Sequence, residues 1–281
     1  MKIVTSLRVK LTSGEQARIL LKQVKNPDVF LKYLKVGSLL SDGTEESLRR
    51  VGQLAQEIID TEPEYPIGYS LLGWYYWHLA ERGISPTENL KMAFELAQKT
   101  LSIDEFDAGS HALLGQIYLL IRKYEKAIAS GKRSIELQPN GALFHQLLGS
   151  TLSYAGRVDE AIAHIKQAIR LNPFPAYFYY KDLARCYAQK GQYEDALAEY
   201  KNALQRAPNH PGIHISLACV YALLDREKEA RASAAKALEL YPNFTISEYS
   251  KTSKHQDQAV KKIIVDAMRK AGFPEWGLII I

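Results

Sequence analysis

Two cysteines, Cys186 and Cys219, are all that 281 residues contain. That is too few for a disulfide framework, and their spacing matches no zinc motif. They read as reduced thiols packed within helices. Nor is there a run approaching the ~20 apolar residues that a membrane-spanning helix needs. The opening MKIVTSLRVKL carries charges through what would be the apolar part of a signal peptide, which argues against secretion by that route. The expectation is a cytoplasmic protein. Gly-rich phosphate loops, nucleophile elbows and HExxH are missing too. With no catalytic constellation in view, the chain reads as a non-enzyme with no cofactor and no metal.

Excess charge of one sign is also scarce, although its distribution is uneven. The net charge is +5. Residues 1–35 hold eight Lys/Arg against Glu15 and Asp28, and residues 251–270 hold six against Asp257 and Asp266. Glu275 adds −1 near the end, so the middle of the chain, residues 36–250, is mildly acidic at −4. Nucleic acid lying along that middle would want a basic stripe to replace released counterions, so no nucleic-acid partner is expected.

What the chain has in quantity is repetition. Residues 108–139 read AGSHALLGQIYLLIRKYEKAIASGKRSIELQP, and 34 residues on comes ALFHQLLGSTLSYAGRVDEAIAHIKQAIRLNP. Leu114-Gly115 recurs as Leu148-Gly149, Ala127 as Ala161, and Pro139 as Pro173. A fixed period of this length marks stacked supersecondary units. The columns resemble the tetratricopeptide pattern, a helix-turn-helix unit with Leu-Gly, Tyr, Ala, aromatic and Pro at set places. The expected fold is an all-α, right-handed solenoid of such repeats, with a helical N-terminal extension and a C-terminal capping helix.

In order along the chain, residues 1–29 form the extension. Ile3, Val4, Leu7 and Leu11 make one apolar stripe, expected to dock on the first repeat or to pair with a second copy of the chain. Ser13 with Gln16 starts a second helix, Gly14 to about Lys25. Residues 30–243 hold six repeats, the first divergent. The second carries eight extra residues around 80–89, where Gly83 and Pro86 mark a loop. Beyond Pro242 the period stops, and a capping helix over about Gln256–Lys270, with Val260, Ile263, Ile264 and Ala267 on its apolar side, closes residues 244–281. Gly115, Gly149, Ala184 and Ala218 face Ala127, Ala161, Ala196 and Ala230, so that paired helices approach closely. Gly156 and Gly191 end first helices in a left-handed cap.

First helices line the concave side of such a solenoid. The stripe opposite the core is Trp74 and Trp77 with His78 beside it, then Gln116, then Gln146, Ser150 and Tyr154, then Lys181, Arg185 and Gln189. Tryptophans, amides and a Lys-x-x-x-Arg pair suit a groove for a peptide or partner domain. Lys181 and Arg185 sit four apart on one helix face, placed to receive an acidic group or to pair with acids such as Asp182 or Glu194. His111, His145 and His214 share one column, but successive copies stand about 10 Å apart, too far to share one metal ion.

Several segments resemble the C-terminal repeat region of bacterial class III adenylate/guanylate cyclase-like proteins: KIVTSLRVKLTSGEQAR, HALLGQIYLL, LQPNGA, AGRVDEAI and MRKAGFPE. In that family the repeats follow a cyclase domain and a TolB-like segment. Neither is in the sequence, so no catalytic residue carries over. The resemblance implies a fragment or a stand-alone relative. Two functions are expected: an interaction scaffold binding a protein or peptide, or a regulatory or oligomerising segment of a cyclase-like signalling protein.

Overall fold

A computed structural model of the chain describes residues 26–42 and 44–277. Among them are fourteen helices and no strand. The predicted stripe of Ile3, Val4, Leu7 and Leu11 and the helix after Ser13 lie outside the described residues.

The helices are α1 (Pro27–Asp42), α2 (Glu45–Thr61), α3 (Pro66–Glu81), α4 (Pro86–Ile103), α5 (Ala108–Leu120), α6 (Tyr124–Leu137) and α7 (Ala142–Tyr154). They continue as α8 (Val158–Leu171), α9 (Tyr177–Gln189), α10 (Tyr193–Arg206), α11 (Pro211–Leu223), α12 (Glu227–Leu240), α13 (Ile246–Thr252) and α14 (Gln258–Ala271). Their starts are chemically specified. Thr44 and Asp107 cap α2 and α5 by accepting from the amides of Ser47 and Ser110, which satisfies donors that have no partner within the helix. Pro66, Pro86 and Pro211 occupy first-turn positions, where a missing N–H costs nothing.

Packing divides the chain into two compact units. The first holds the described residues to Leu148 with Leu171–Pro173, and the second holds Gly149–Arg170 with the residues from Phe174 on. In the first unit, Val29, Val36, Val51, Leu54, Ile58 and Leu71 form one core, and Trp77, Ala93, Ala97, Leu113 and Ile117 form another. In the second unit, Ala184, Ala196, Tyr200, Ile213 and Leu217 lead into a core of Ala218, Ala230, Phe244, Met268 and Phe273. Each large aliphatic side chain fully buried there contributes roughly 1.5–3 kcal/mol.

The small-residue columns are close contacts. A Cβ on Gly115 would lie 3.1 Å from the Ala127 carbonyl oxygen, and one on Gly149 would lie 2.5 Å from Ile165 Cγ1 and 3.1 Å from the Ala161 carbonyl oxygen. The turns within pairs share a second requirement. Arg122, Gly156, Gly191 and Asp225 occupy equivalent places, and all four have left-handed backbones, with φ of 58°, 80°, 73° and 59°. Two repeats meet it with glycine; the other two hold a side chain there at a cost.

Successive pairs are stitched by another column. Tyr69 Oη donates to the Pro63 carbonyl at 3.0 Å, and the Nε2–H groups of His111, His145 and His214 donate to the carbonyls of Glu105, Pro139 and Pro208 at 3.3, 3.0 and 2.8 Å. Each reaches back six residues. In the repeat that has Tyr180 at this place, Arg206 takes over. It donates to the Pro175 carbonyl at 3.1 Å and stacks on the Tyr180 ring at 4.1 Å.

Two details differ from the sequence reading. The eight extra residues of the second repeat are mostly helix: α3 and α4 have 16 and 18 residues where α5 and α6 have 13 and 14. Pro86 begins α4 instead of sitting in a longer loop, and Asn89 Nδ2 donates to the Ile84 carbonyl at 2.7 Å, folding the short turn onto the helix start. At the other end, a short helix, α13, precedes α14. The buried side of α14 is Val265, Ala267, Met268 and Ala271, while Ile263 is 47% exposed. That rotation follows from its seat: α14 lies mainly against α11, less against α12. The tail returns to α13, where the Ile246 and Ser247 amides donate to the Pro274 and Glu275 carbonyls at 3.0 and 3.1 Å.

Candidate functional site

In the first unit, α3 presents Trp74, Trp77 and His78 as one aromatic cluster. The two indoles meet edge to face at 5.5 Å, and His78 meets Trp77 at 4.9 Å. Trp77 is buried and Trp74 half-buried, so the tryptophans serve the core of α3 and α4 as much as the surface. Gln116 and Gln146 are buried as well. Gln116 Nε2 donates to the Leu147 carbonyl at 3.3 Å, so this amide holds α5 to α7.

In the second unit the predicted residues converge. Arg185, on α9, donates through Nη2 to Ser150 Oγ at 3.0 Å, through Nε to Ser153 Oγ at 3.2 Å, and through Nη1 to Tyr154 Oη at 3.1 Å. Its guanidinium lies 4.1 Å from the centre of the Tyr154 ring and pairs with Asp182 at 2.8 Å. This donor set leaves Arg185 fully engaged. Ser153 Oγ also donates to Gln189 Oε1 at 3.2 Å. Lys181 is different. Among the described residues it has no carboxylate partner, and its Nζ stands over the Tyr177 ring at 5.8 Å.

A short non-helical stretch between α13 and α14 brings side chains that no periodicity marks. His255 is buried, meets Tyr154 edge to face at 5.0 Å, and places Nδ1 3.2 Å from Gln189 Nε2. Lys254 Nζ stands over the same Tyr154 ring at 5.8 Å, and the Gln256 amide donates to the Tyr154 carbonyl at 2.9 Å. Together with α9 and α11 these residues enclose a cavity of about 320 Å3. Tyr154, Lys181, Arg185 and Gln189 line it beside Tyr249, Ser253, Lys254 and His255. The only sequence signal for the second group is a basic, histidine-bearing stretch just past the last repeat.

Burial sets the protonation of the thiols and the histidine around the cavity. Burial pushes the Cys186 and Cys219 thiols up to about 11 and about 12, so neither is a thiolate near neutral pH. Burial, and then Arg185, push His255 down to about 4, which leaves it a neutral hydrogen-bonding group. Among the described residues no group of His, Cys, Asp and Glu could hold a metal ion, and no helix is long and apolar enough to cross a membrane.

Tetratricopeptide repeat family models match residues 108–140, 147–211 and 187–251. These stretches are tetratricopeptide repeats. Solved structures share the fold over most of the chain. PilW, a type IV pilus biogenesis factor, is 18% identical with a TM-score of 0.54, over 71% of this chain and 90% of that one. The APC/C hetero-tetramer Cut9–Hcn1 gives 14% identity and a TM-score of 0.62, over 84% of this chain and 45% of that one. A thermophilic protein of the same repeat class from Thermus thermophilus gives 22% identity and a TM-score of 0.52, over 70% of this chain and 99% of that one. At such identities the likeness establishes the fold, an all-α solenoid of tetratricopeptide helix pairs. No curated protein matches the sequence.

Proposed function

We propose that this chain is a non-catalytic scaffold that holds an acidic segment of a partner protein. The observation that carries the reading is Lys181, a half-buried cation that rests on an aromatic ring with no carboxylate beside it. Arg185 serves this face indirectly. Its contacts with Ser150, Ser153, Tyr154 and Asp182 fix the surface from which Lys181 projects. In the first unit, Trp74 and His78 supply aromatic contact area of the kind that anchors protein interfaces. The mildly acidic repeats favour a protein partner over nucleic acid. A second reading, a regulatory or oligomerising segment of a cyclase-like protein, rests on the segments quoted from the sequence, and native gene context tests it directly.

Panning a random peptide library on the purified chain tests the scaffold reading. Enriched peptides are expected to carry Asp and Glu, and Lys181→Glu, with helix content checked by circular dichroism, should abolish their binding. Enrichment of basic peptides, or binding indifferent to Lys181→Glu, would overturn it.

A further inference from the structure

Three helices of the second unit present stripes to one cavity. Lys181, Arg185 and Gln189 come from α9, Ile215, Cys219 and Leu223 from α11, and Val260, Ile264 and Met268 from α14. Within each set the residues stand four apart, so each set lies along one face of its helix. The stripe from α9 is polar, and the other two are apolar. Lys181, over the Tyr177 ring at 5.8 Å and with no carboxylate partner among the described residues, therefore opens onto the same space as the apolar stripes.

The apolar walls are unfinished. Ile215, Leu223, Val260 and Ile264 line the space and are only half-buried, whereas Ile213 and Val265 on the same two helices are buried. A protein interior packs such side chains against one another. Here they face about 320 Å3, at the small end of ligand pockets. A space on that scale takes a side chain and not a helix. The site also needs more than the repeats, because α14 lies beyond the last stretch that matches a repeat model.

We infer that the acidic segment held at Lys181 also places one large apolar side chain, a leucine, isoleucine, methionine or phenylalanine, in this cavity. The inference rests on the reading of Lys181 given above and deepens it: the partner carries an acidic residue with a large apolar residue close by in sequence. Its carboxylate meets Lys181 on α9, and its hydrocarbon meets Leu223 on α11 and Val260 and Ile264 on α14. An apolar anchor in a pocket beside a charged contact gives a short segment both affinity and register. Because α14 supplies one wall, the anchor ties α14 to α11 and stabilises the end of the chain.

The full chain is panned with a random peptide library displayed on phage, and the consensus peptide is synthesised with two single replacements. Changing its acidic residue to the matching amide is expected to weaken binding, read by calorimetry, at least about threefold. Changing its apolar residue to alanine is expected to weaken binding at least about tenfold. Leu223→Trp and Val260→Trp, each checked for helix content by circular dichroism, fill the cavity. They should weaken the consensus peptide at least about tenfold and leave the alanine-replaced peptide unchanged. Hydrogen exchange in α14 should slow with the consensus peptide bound and not with the alanine-replaced peptide at equal saturation. The inference alone is overturned if Lys181→Glu abolishes binding but the enriched peptides share no apolar residue, or the alanine-replaced peptide binds like the consensus. It is likewise overturned alone if both tryptophan variants bind the consensus like the parent. Peptides without an acidic residue, binding indifferent to Lys181→Glu, or enrichment of no peptide at all overturn the reading of Lys181 and this inference with it.

Discussion

Asp182 and Arg185, three residues apart on α9, form a largely buried ion pair at 2.8 Å, with side chains 6% and 13% exposed. Removing one partner strands the other charge in a dry place. Arg185→Ala should therefore destabilise the chain by about 3–5 kcal/mol, whereas replacing both residues with leucine should recover much of that loss. Urea denaturation of the two variants checks it. A double variant no more stable than Arg185→Ala would assign the loss to the serine and tyrosine contacts.

Glycines at two helix positions should respond oppositely to alanine. A Cβ at Gly149 meets Ile165 Cγ1 at 2.5 Å, while one at Gly37 meets nothing within 4 Å. Gly149→Ala should cost about 1–3 kcal/mol by overpacking. Gly37→Ala should gain about 0.5–1 kcal/mol from helix propensity. Thermal melts that move in the same direction would show that α7 and α8 can yield where they meet.

The left-handed turn column offers a stabilising change. Arg122 has φ 58° where two other repeats have glycine. Arg122→Gly should raise stability by up to about 1 kcal/mol, and Gly156→Ala should lower it by about 1–2 kcal/mol. Chemical denaturation of both variants against the parent decides the matter; a neutral or destabilising Arg122→Gly would mean that the arginine side chain offsets its backbone strain.

Acid should loosen the second unit through His255. Burial first, and then Arg185, lower its pKa from 6.5 to about 4, with Asp257 opposing them. Between those values the unfolded chain binds a proton that the folded chain does not, so stability is lost as pH falls from about 6.5 toward about 4. The loss from this residue is at most about 3 kcal/mol. His255→Gln should flatten that slope in part. His210, likewise held near 4 by burial and Lys181, keeps the remainder. Equal slopes for parent and His255→Gln would rule out His255 as a source.

Repetition makes the fold readable in the sequence itself. Close packing at Gly115 and Gly149 follows from a column that holds only small residues, and Gly156 and Gly191 announce their turns. Arg122 and Asp225 give no such warning, since neither residue type by itself indicates a left-handed backbone. Within the site, the repeat places Tyr154, Lys181, Arg185 and Gln189 on first helices, and the four-residue spacing of the last three groups them on one face. Lys254, His255 and Gln256 follow no period. Their place against Tyr154 is set by where α14 seats on α11, a packing decision made far along the chain. The choice of Asp182 over Glu194 as the partner of Arg185 likewise depends on which acid is buried.

The reach-back stitches bear on how such a chain can be rebuilt. Tyr69, His111, His145 and His214 each bind a carbonyl only six residues earlier, so both ends of these four stitches travel on the same short piece of sequence, unlike the Arg206–Pro175 bond. Copying residues 139–172 in frame would copy His145 together with the Pro139 carbonyl that receives it. Lengthening or shortening the array by whole repeats therefore leaves each histidine joint with its own fastening, and cuts placed between a carbonyl and its histidine do not.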